Sequence, residues 1–254
     1  MDWGRAKSVL IMSFLLLNIL LGYQVWGDIR EQMNVNKNTA ELPADTVAVM
    51  KQKGIELNAN LPLETPKLRD LTYLLKNGSS EKQKEIRLKT PVDSKIIFNQ
   101  TELVKALGDQ IPDLGQYSYD RAVSTDRVFV LYRMVDNRPM FDVKLELYYN
   151  NQNQKITGFK QVQVEVLGPG EAKEQTVLPA AKAVAPFVER NLPSGSVITD
   201  IQLGYHGQMF DTETQVSAPY WRVLLEDGKE GNEYYIHAIS GEVAQAKESK
   251  ETKQ

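Results

Sequence analysis

Residues 140–149, MFDVKLELYY, and residues 155–167, KITGFKQVQVEVL, decide how this chain is read. Apolar and polar positions alternate along both, Asn150 to Gln154 between them is polar, and Val162, Val164 and Val166 share one face of the second run. A period of two puts alternate side chains on one side of a strand, and two such runs around a short polar turn form an antiparallel hairpin. One face of that hairpin is core.

Upstream, Leu103, Val104, Leu107 and Ile111 mark one face of a helix that Pro112 ends, and Arg127 to Val135 is β-rich. Downstream, Gly168-Pro169-Gly170 opens a loop before a second helix near Val177 to Leu192, which needs a kink or a late start to accommodate Pro179 and Pro186. Strands follow at Val197 to Tyr205, Pro219 to Glu226 and Glu233 to Ile239, with turns at Asp227-Gly228 and Ser240-Gly241. Nearer the start, a short helix is predicted over Asp45 to Lys53 with Gly54 as its stop. Extended segments are predicted at Ile55 to Leu61, Leu68 to Leu75 and Ile86 to Leu88, interrupted at Asn77 to Ser80.

An offset of 80 residues superposes the two halves: Val104 on Val184, Leu107 on Phe187, and Pro139, Phe141, Val143 and Leu145 on Pro219, Trp221, Val223 and Leu225, with Ile156 on Ile236. The shared P-x-[FW]-x-V-x-L places an aromatic and two aliphatics on one strand face at a fixed distance after an amphipathic helix. Unrelated amphipathic strands produce such matches too, but two related modules are the simpler reading. The predicted class is α+β: module 1 over 45–168 and module 2 over 169–246, each an antiparallel sheet with a packed helix.

Composition narrows the function. The 254 residues are 25% charged with 30 Lys+Arg against 33 Asp+Glu, a net charge of −3, so no basic field exists to hold nucleic acid. No Cys is present, which removes disulfides, thiolate nucleophiles and Cys-ligated metal, and His206 and His237 are the only imidazoles. No cofactor, metal site or catalytic residue is expected.

Ser8 to Trp26, SVLIMSFLLLNILLGYQVW, carries no charge over nineteen positions. As a helix it covers roughly 28 Å, close to the hydrocarbon thickness of a bilayer of about 30 Å. Trp3 on one side and Tyr23 and Trp26 on the other sit at headgroup level, and Arg5 and Lys7 precede the span, so residues 1–7 are expected inside the cell. Residues 27–44 read as a polar stalk and the rest as extracellular, with 247–254 a charged, unstructured tail. The rival reading is a cleaved signal peptide ending near Val25-Trp26-Gly27; the length of the apolar run and the aromatic belt favour a resident anchor.

Asn18 is one polar side chain inside this span, past its middle, and an unpaired amide in hydrocarbon is costly. Gly4, Ser8, Ile11, Leu15, Asn18 and Gly22 recur at spacings of four and three, the seam of one helix packed on another. Ser8, Ile11, Leu15, Asn18 and Gly22 are therefore candidates for partner binding within the bilayer. Asn18 bonding its own helix or interfacial water is the other reading.

Met1-Asp2-Trp3, Arg5, Lys7, Phe14-Leu15-Leu16-Leu17-Asn18 and Tyr23-Gln24 resemble the membrane anchor of the YycI (WalI) family, and size, single span and lack of Cys agree along the chain. Tyr234 to Val243 is similar to that family's C-terminal half and to PepSY-type modules, Ser240 standing where many such turns carry another small or acidic residue. The resemblance implies a non-catalytic regulator that, with YycH, joins the sensor histidine kinase WalK (YycG) through transmembrane helices and adjusts its autophosphorylation in cell-wall homeostasis. A helix that binds two kinase arrangements unequally shifts their populations by that difference alone.

The alternative function is an anchored extracellular PepSY-type module that captures a cell-wall ligand or restrains a secreted protease. Tyr220, Trp221, Tyr234 and Tyr235 could line such a groove, although aromatics on neighbouring strands are more often core pairs. His206 and His237 lack metal-ligand spacing, and Asp211 and Glu213 near Asp200 read as a solvated acidic loop more readily than as a glycosidase pair.

Overall fold

The computed structural model describes residues 12–18, 42–76, 83–169, 173–207, 210, 212–226 and 232–244. Helix α1 (Ala44–Lys53) is preceded by Pro43 and ends at Gly54, whose left-handed φ of 64° lets its amide donate back to the last carbonyls. Strand β1 (Glu56–Leu57), β2 (Lys67–Leu68) and β3 (Leu71–Leu75) follow. The expected strands over 55–61 and 68–75 are thus shorter, and the second is broken in two.

Next comes β4 (Ile86–Asp93), longer than predicted, in which the pairing slips between Arg87 and Val92 around Pro91. Helix α2 (Gln100–Leu107) starts where the Asn99 side chain accepts hydrogen bonds from the Thr101 and Glu102 amides. It stops at Gly108, ahead of Pro112. Then come β5 (Tyr117–Asp120), which the sequence reading missed, β6 (Val128–Val135) and β7 (Arg138–Asn150). The predicted returning strand divides into β8 (Lys155–Gln161) and β9 (Val164–Pro169), because each pairs with different neighbours.

After β10 (Gln175–Thr176), helix α3 (Ala180–Arg190) begins late, directly behind Pro179, and carries Pro186 inside it. Its inward face is Ala180, Ala183, Val184, Phe187 and Val188, in which the alanines let it lie close to the sheet and Phe187 fills the core. The chain closes with β11 (Val197–His206), β12 (Thr214–Glu226), β13 (Asn232–His237) and β14 (Val243–Ala244). The predicted turn at Asp227-Gly228 and the tail 247–254 lie outside the described residues.

These strands make a sheet-dominated α+β fold. One sheet runs β14-β13-β12-β11-β7-β6-β5, antiparallel except where β11 meets β7 in parallel, Tyr205 opposite Met140. The far edge of β7 also carries β8, which carries β4, while β3 bridges β9 to the first residues of β12. Helix α2 covers one half through Leu103, Leu107, Leu131, Leu145 and Leu147. Helix α3 covers the other through Val184, Phe187, Trp221, Val223 and Leu225.

Three expectations need correction. Residues 45–61, placed in module 1 by chain order, pack in the second core, as Met50, Ile55, Leu57, Ala59 and Leu61 lie with α3. Their burial is secured when β1 pairs with β11 and when Lys53 Nζ donates to the Glu189 and Leu192 carbonyls at the end of α3. The stalk predicted over 27–44 ends sooner, because Leu42 is buried in that same core. Within the offset of 80, Phe141 lies in the cluster around Tyr132 and Tyr235 whereas Trp221 lies against α3, and Ile156 pairs with Tyr149 whereas Ile236 pairs with Trp221, so these matches are not ones of position in the sheet.

Among the described residues, no helix is long and apolar enough to cross a membrane. Of the expected span Ser8 to Trp26, residues 12–18 are described, and they are helical and exposed; the remainder lies outside the described residues.

Candidate functional site

Alternation along β12 sends Trp221, Val223 and Leu225 toward α3 and turns Tyr220, Arg222 and Leu224 the other way. Trp221 is fully buried, and its indole N–H donates to the Leu178 carbonyl at 3.0 Å. Arg222 is equally buried, which no guanidinium tolerates without partners. Its Nη2 lies 2.7 Å from Asp120 of β5, and it donates to Asp200 at 2.8 Å and to Gln202 at 3.0 Å, both on β11. Glu233 of β13 stands 4.0 Å from its Nε.

The guanidinium also lies over the Phe141 ring at 4.8 Å and near the Tyr132 ring at 5.6 Å. Asp120, Tyr132 and Phe141 belong to the α2-backed half, so the sheet curls until its two uncovered faces meet on this arginine. Burial alone would lower the Arg222 pKa, but the Asp120 charge and the hydrogen bonds to Asp200 and Asp120 outweigh it and hold the cation above its ordinary value. The result is a charge-locked joint between the halves.

Around it, burial drives the Tyr132 and Tyr235 hydroxyls far above the usual tyrosine range, reinforced in both by the Glu233 charge. Tyr235 donates to Glu233 at 2.6 Å, and the His206 ring stacks on the Tyr235 ring, 3.7 Å between centroids. His206 Nδ1 is 2.9 Å from Asp142, whose other oxygen accepts from the Gly207 amide at 2.8 Å. His237 is used differently: its Nδ1 accepts from the Ile239 and Ser240 amides and shapes the turn. The two imidazoles thus serve packing and turn formation.

The four aromatics considered as a groove split between faces. Trp221 and Tyr234 are on the α3 side, Tyr234 packing on Phe187 at 4.9 Å, while Tyr220 and Tyr235 line the joint. Asp200 is committed to Arg222, Glu213 is exposed, and Asp211 lies outside the described residues. The sequence reading missed Arg222, Asp120 and Asp142. A charge inside Trp221-Arg222-Val223-Leu224-Leu225 was the available signal, since a cation in an apolar strand demands acids from elsewhere.

Of the five seam candidates, Leu15 and Asn18 fall in the described helical stretch, three residues apart and so on one face; Ser8, Ile11 and Gly22 lie outside the described residues. That stretch exposes Phe14, Leu15, Leu16 and Leu17, each more than half accessible.

What fold and joint define is a sheet-rich α+β body of two helix-backed halves clamped on one buried arginine. The model of the YycI protein family matches residues 32–239, most of the chain, and the chain belongs to that family, whose role is regulatory. The match starts beyond the expected membrane span. No curated protein matches the chain. Among solved structures it is similar to the C-terminal domain of YpeB from Bacillus megaterium, at 11% identity and a TM-score of 0.37, covering 81% of this chain and 99% of that one. It is also similar to an uncharacterized protein from Eubacterium rectale, at 10% identity and a TM-score of 0.36, covering 56% of this chain and 55% of that one, about half the length of each.

Proposed function

We propose that this chain is a single-pass membrane regulator of the sensor histidine kinase WalK (YycG), acting with YycH through transmembrane helix contacts in cell-wall signalling. Its N-terminus lies inside the cell, and the body from residue 42 onward lies outside as a lever. Membership of the YycI family over 32–239 carries this reading. The exposed apolar helical stretch at 12–18, with Leu15 and Asn18 on one face, supports a docking surface within the bilayer. The two helix-backed halves are taken as related modules of that outer body.

The chemistry required is binding alone, because a regulator shifts its kinase by preferring one helix arrangement over another. Asn18→Leu in the full-length protein is expected to weaken kinase co-purification by about 1 kcal/mol, roughly fivefold, the scale of interhelical polar contacts. Replacing residues 8–26 with an unrelated leucine-rich anchor is expected to abolish both co-purification and the effect on autophosphorylation. Full regulation by the swapped protein would show that the body acts without the seam.

A further inference from the structure

A cleft of about 300 Å³ opens where the two halves meet the bridging strand β3. This is the small end of the range for ligand cavities, about 300–1,000 Å³, and suits a molecule of amino-acid or dipeptide size. Leu68, Leu71, Val135 and Val166 give it an aliphatic lining, joined by the buried Tyr205. Lys67 and Arg69 stand on its rim, and so do Asp136 and Glu174.

Two cations and two carboxylates beside an aliphatic lining give no net sign. An anion or a cation alone would leave half of that lining unmatched, whereas a zwitterion pairs with both halves of it. Arg69 and Glu174 approach each other at 3.7 Å with side chains 41% and 52% accessible, a loose pair that retains capacity for a ligand. Asp136 is held at the tight β6–β7 turn, where it and Asn137 adopt φ of 49° and 60°. Burial holds the Tyr205 hydroxyl above the usual tyrosine range, with Arg138 and Arg69 opposing and Asp136 and Asp70 reinforcing it.

We propose that this cleft binds a zwitterionic amino acid or dipeptide with an aliphatic side chain, its carboxylate on Lys67 and Arg69 and its ammonium on Asp136 and Glu174. Val135 and Asp136 come from the α2-backed half and Tyr205 from the α3-backed half, so an occupant touches both sides of the joint. A ligand held this way favours whichever relation of the halves it fits better. That regulatory consequence rests on the function proposed above; the binding does not.

The test is titration of the dipeptide Ala-Leu into the full-length protein in detergent, followed by calorimetry or ligand-observed NMR. Saturable binding is expected, weakened at least fivefold by N-acetylation, by C-amidation, and by Arg69→Gln or Asp136→Asn. Both substituted side chains are at the surface, and Tyr205→Phe, which keeps the ring, provides a further variant with a smaller expected loss. Absence of saturable binding below about 10 mM, or equal binding of the blocked peptides, overturns the proposal. Kinase co-purification from the same preparation separates the two ideas: no peptide binding with co-purification retained removes the cleft alone, and the converse removes the regulator alone.

Discussion

The two faces of β12 solve opposite problems with neighbouring residues. Trp221, Val223 and Leu225 meet α3 across a dry layer that holds one half of the body together. Arg222, one position away, meets Asp120, Tyr132 and Phe141 of the other half. The first face gains from removing apolar area from water, which is non-directional and tolerant of repacking. The second gains only if charges and donors meet at fixed positions, which makes it intolerant of a shift between the halves. The difference teaches that cohesion within a half and register between halves are carried by different forces.

The largest expected effect falls on the charged face. Arg222→Ala leaves Asp120, Asp200 and Glu233 facing one another without their cation, and a loss of about 3–5 kcal/mol is expected in denaturant unfolding. Adding Asp120→Asn to that variant should restore part of the loss, since one of the stranded charges is then removed. Additive losses would mean the joint is not electrostatic.

Alkali sharpens the comparison next. Tyr73 and Tyr117 are pushed up to about 12, chiefly by burial, and Tyr132 and Tyr235 higher still at the joint. The folded protein keeps these protons where the unfolded chain releases them, so their contribution is intact below about pH 10 and falls as pH rises toward 12, by about 1.4 kcal/mol per pH unit for each tyrosine. Urea titrations at pH 8, 10 and 11 measure the slope. Phe at 132 or 235 should flatten it, and an unchanged slope would place the sensitivity elsewhere.

Gly204 tests how closely the halves approach. A Cβ there would stand 2.5 Å from the Pro139 carbonyl oxygen and 2.6 Å from the Phe141 ring. Gly204→Ala is expected to cost about 1–3 kcal/mol through overpacking, seen as a lower unfolding midpoint. The smallest effect belongs to the dry side, where the Thr46 hydroxyl, fully buried, donates to Glu189 of α3 at 2.6 Å. Thr46→Val should cost only about 1–2 kcal/mol, since Glu189 is partly exposed and its carboxylate can turn to water; a loss as large as that of Arg222→Ala would erase the distinction between the faces.

Local chemistry made much of the body legible. The hairpin of β7 and β8, the three helices and the late start of α3 behind Pro179 follow from periodicity and from the residues that start and stop helices. Tyr117–Asp120 was missed because four residues carry too little pattern to separate strand from loop. Leu42 and residues 55–61 were misplaced because proximity in the chain says nothing about which sheet edge a short strand joins, and β1 joins β11 some 140 residues away. The seam candidates came from spacing in the span, while the arginine joint was hidden in a strand read for its apolar face alone.

By itself, the order of residues determined the α+β class, the apolar segment at the front, the absence of thiol chemistry, and which side of each long strand seeks a core. These are matters of neighbours within about ten positions, where periodicity and steric preference act. Only the tertiary structure decided that the halves turn their uncovered faces together, that Asp120 and Asp200 converge on Arg222, and that the cleft at Tyr205 gathers both signs of charge. The reason is physical: a buried charge constrains what must surround it without specifying which distant segment supplies the partner, and that choice is made by how the sheet curls.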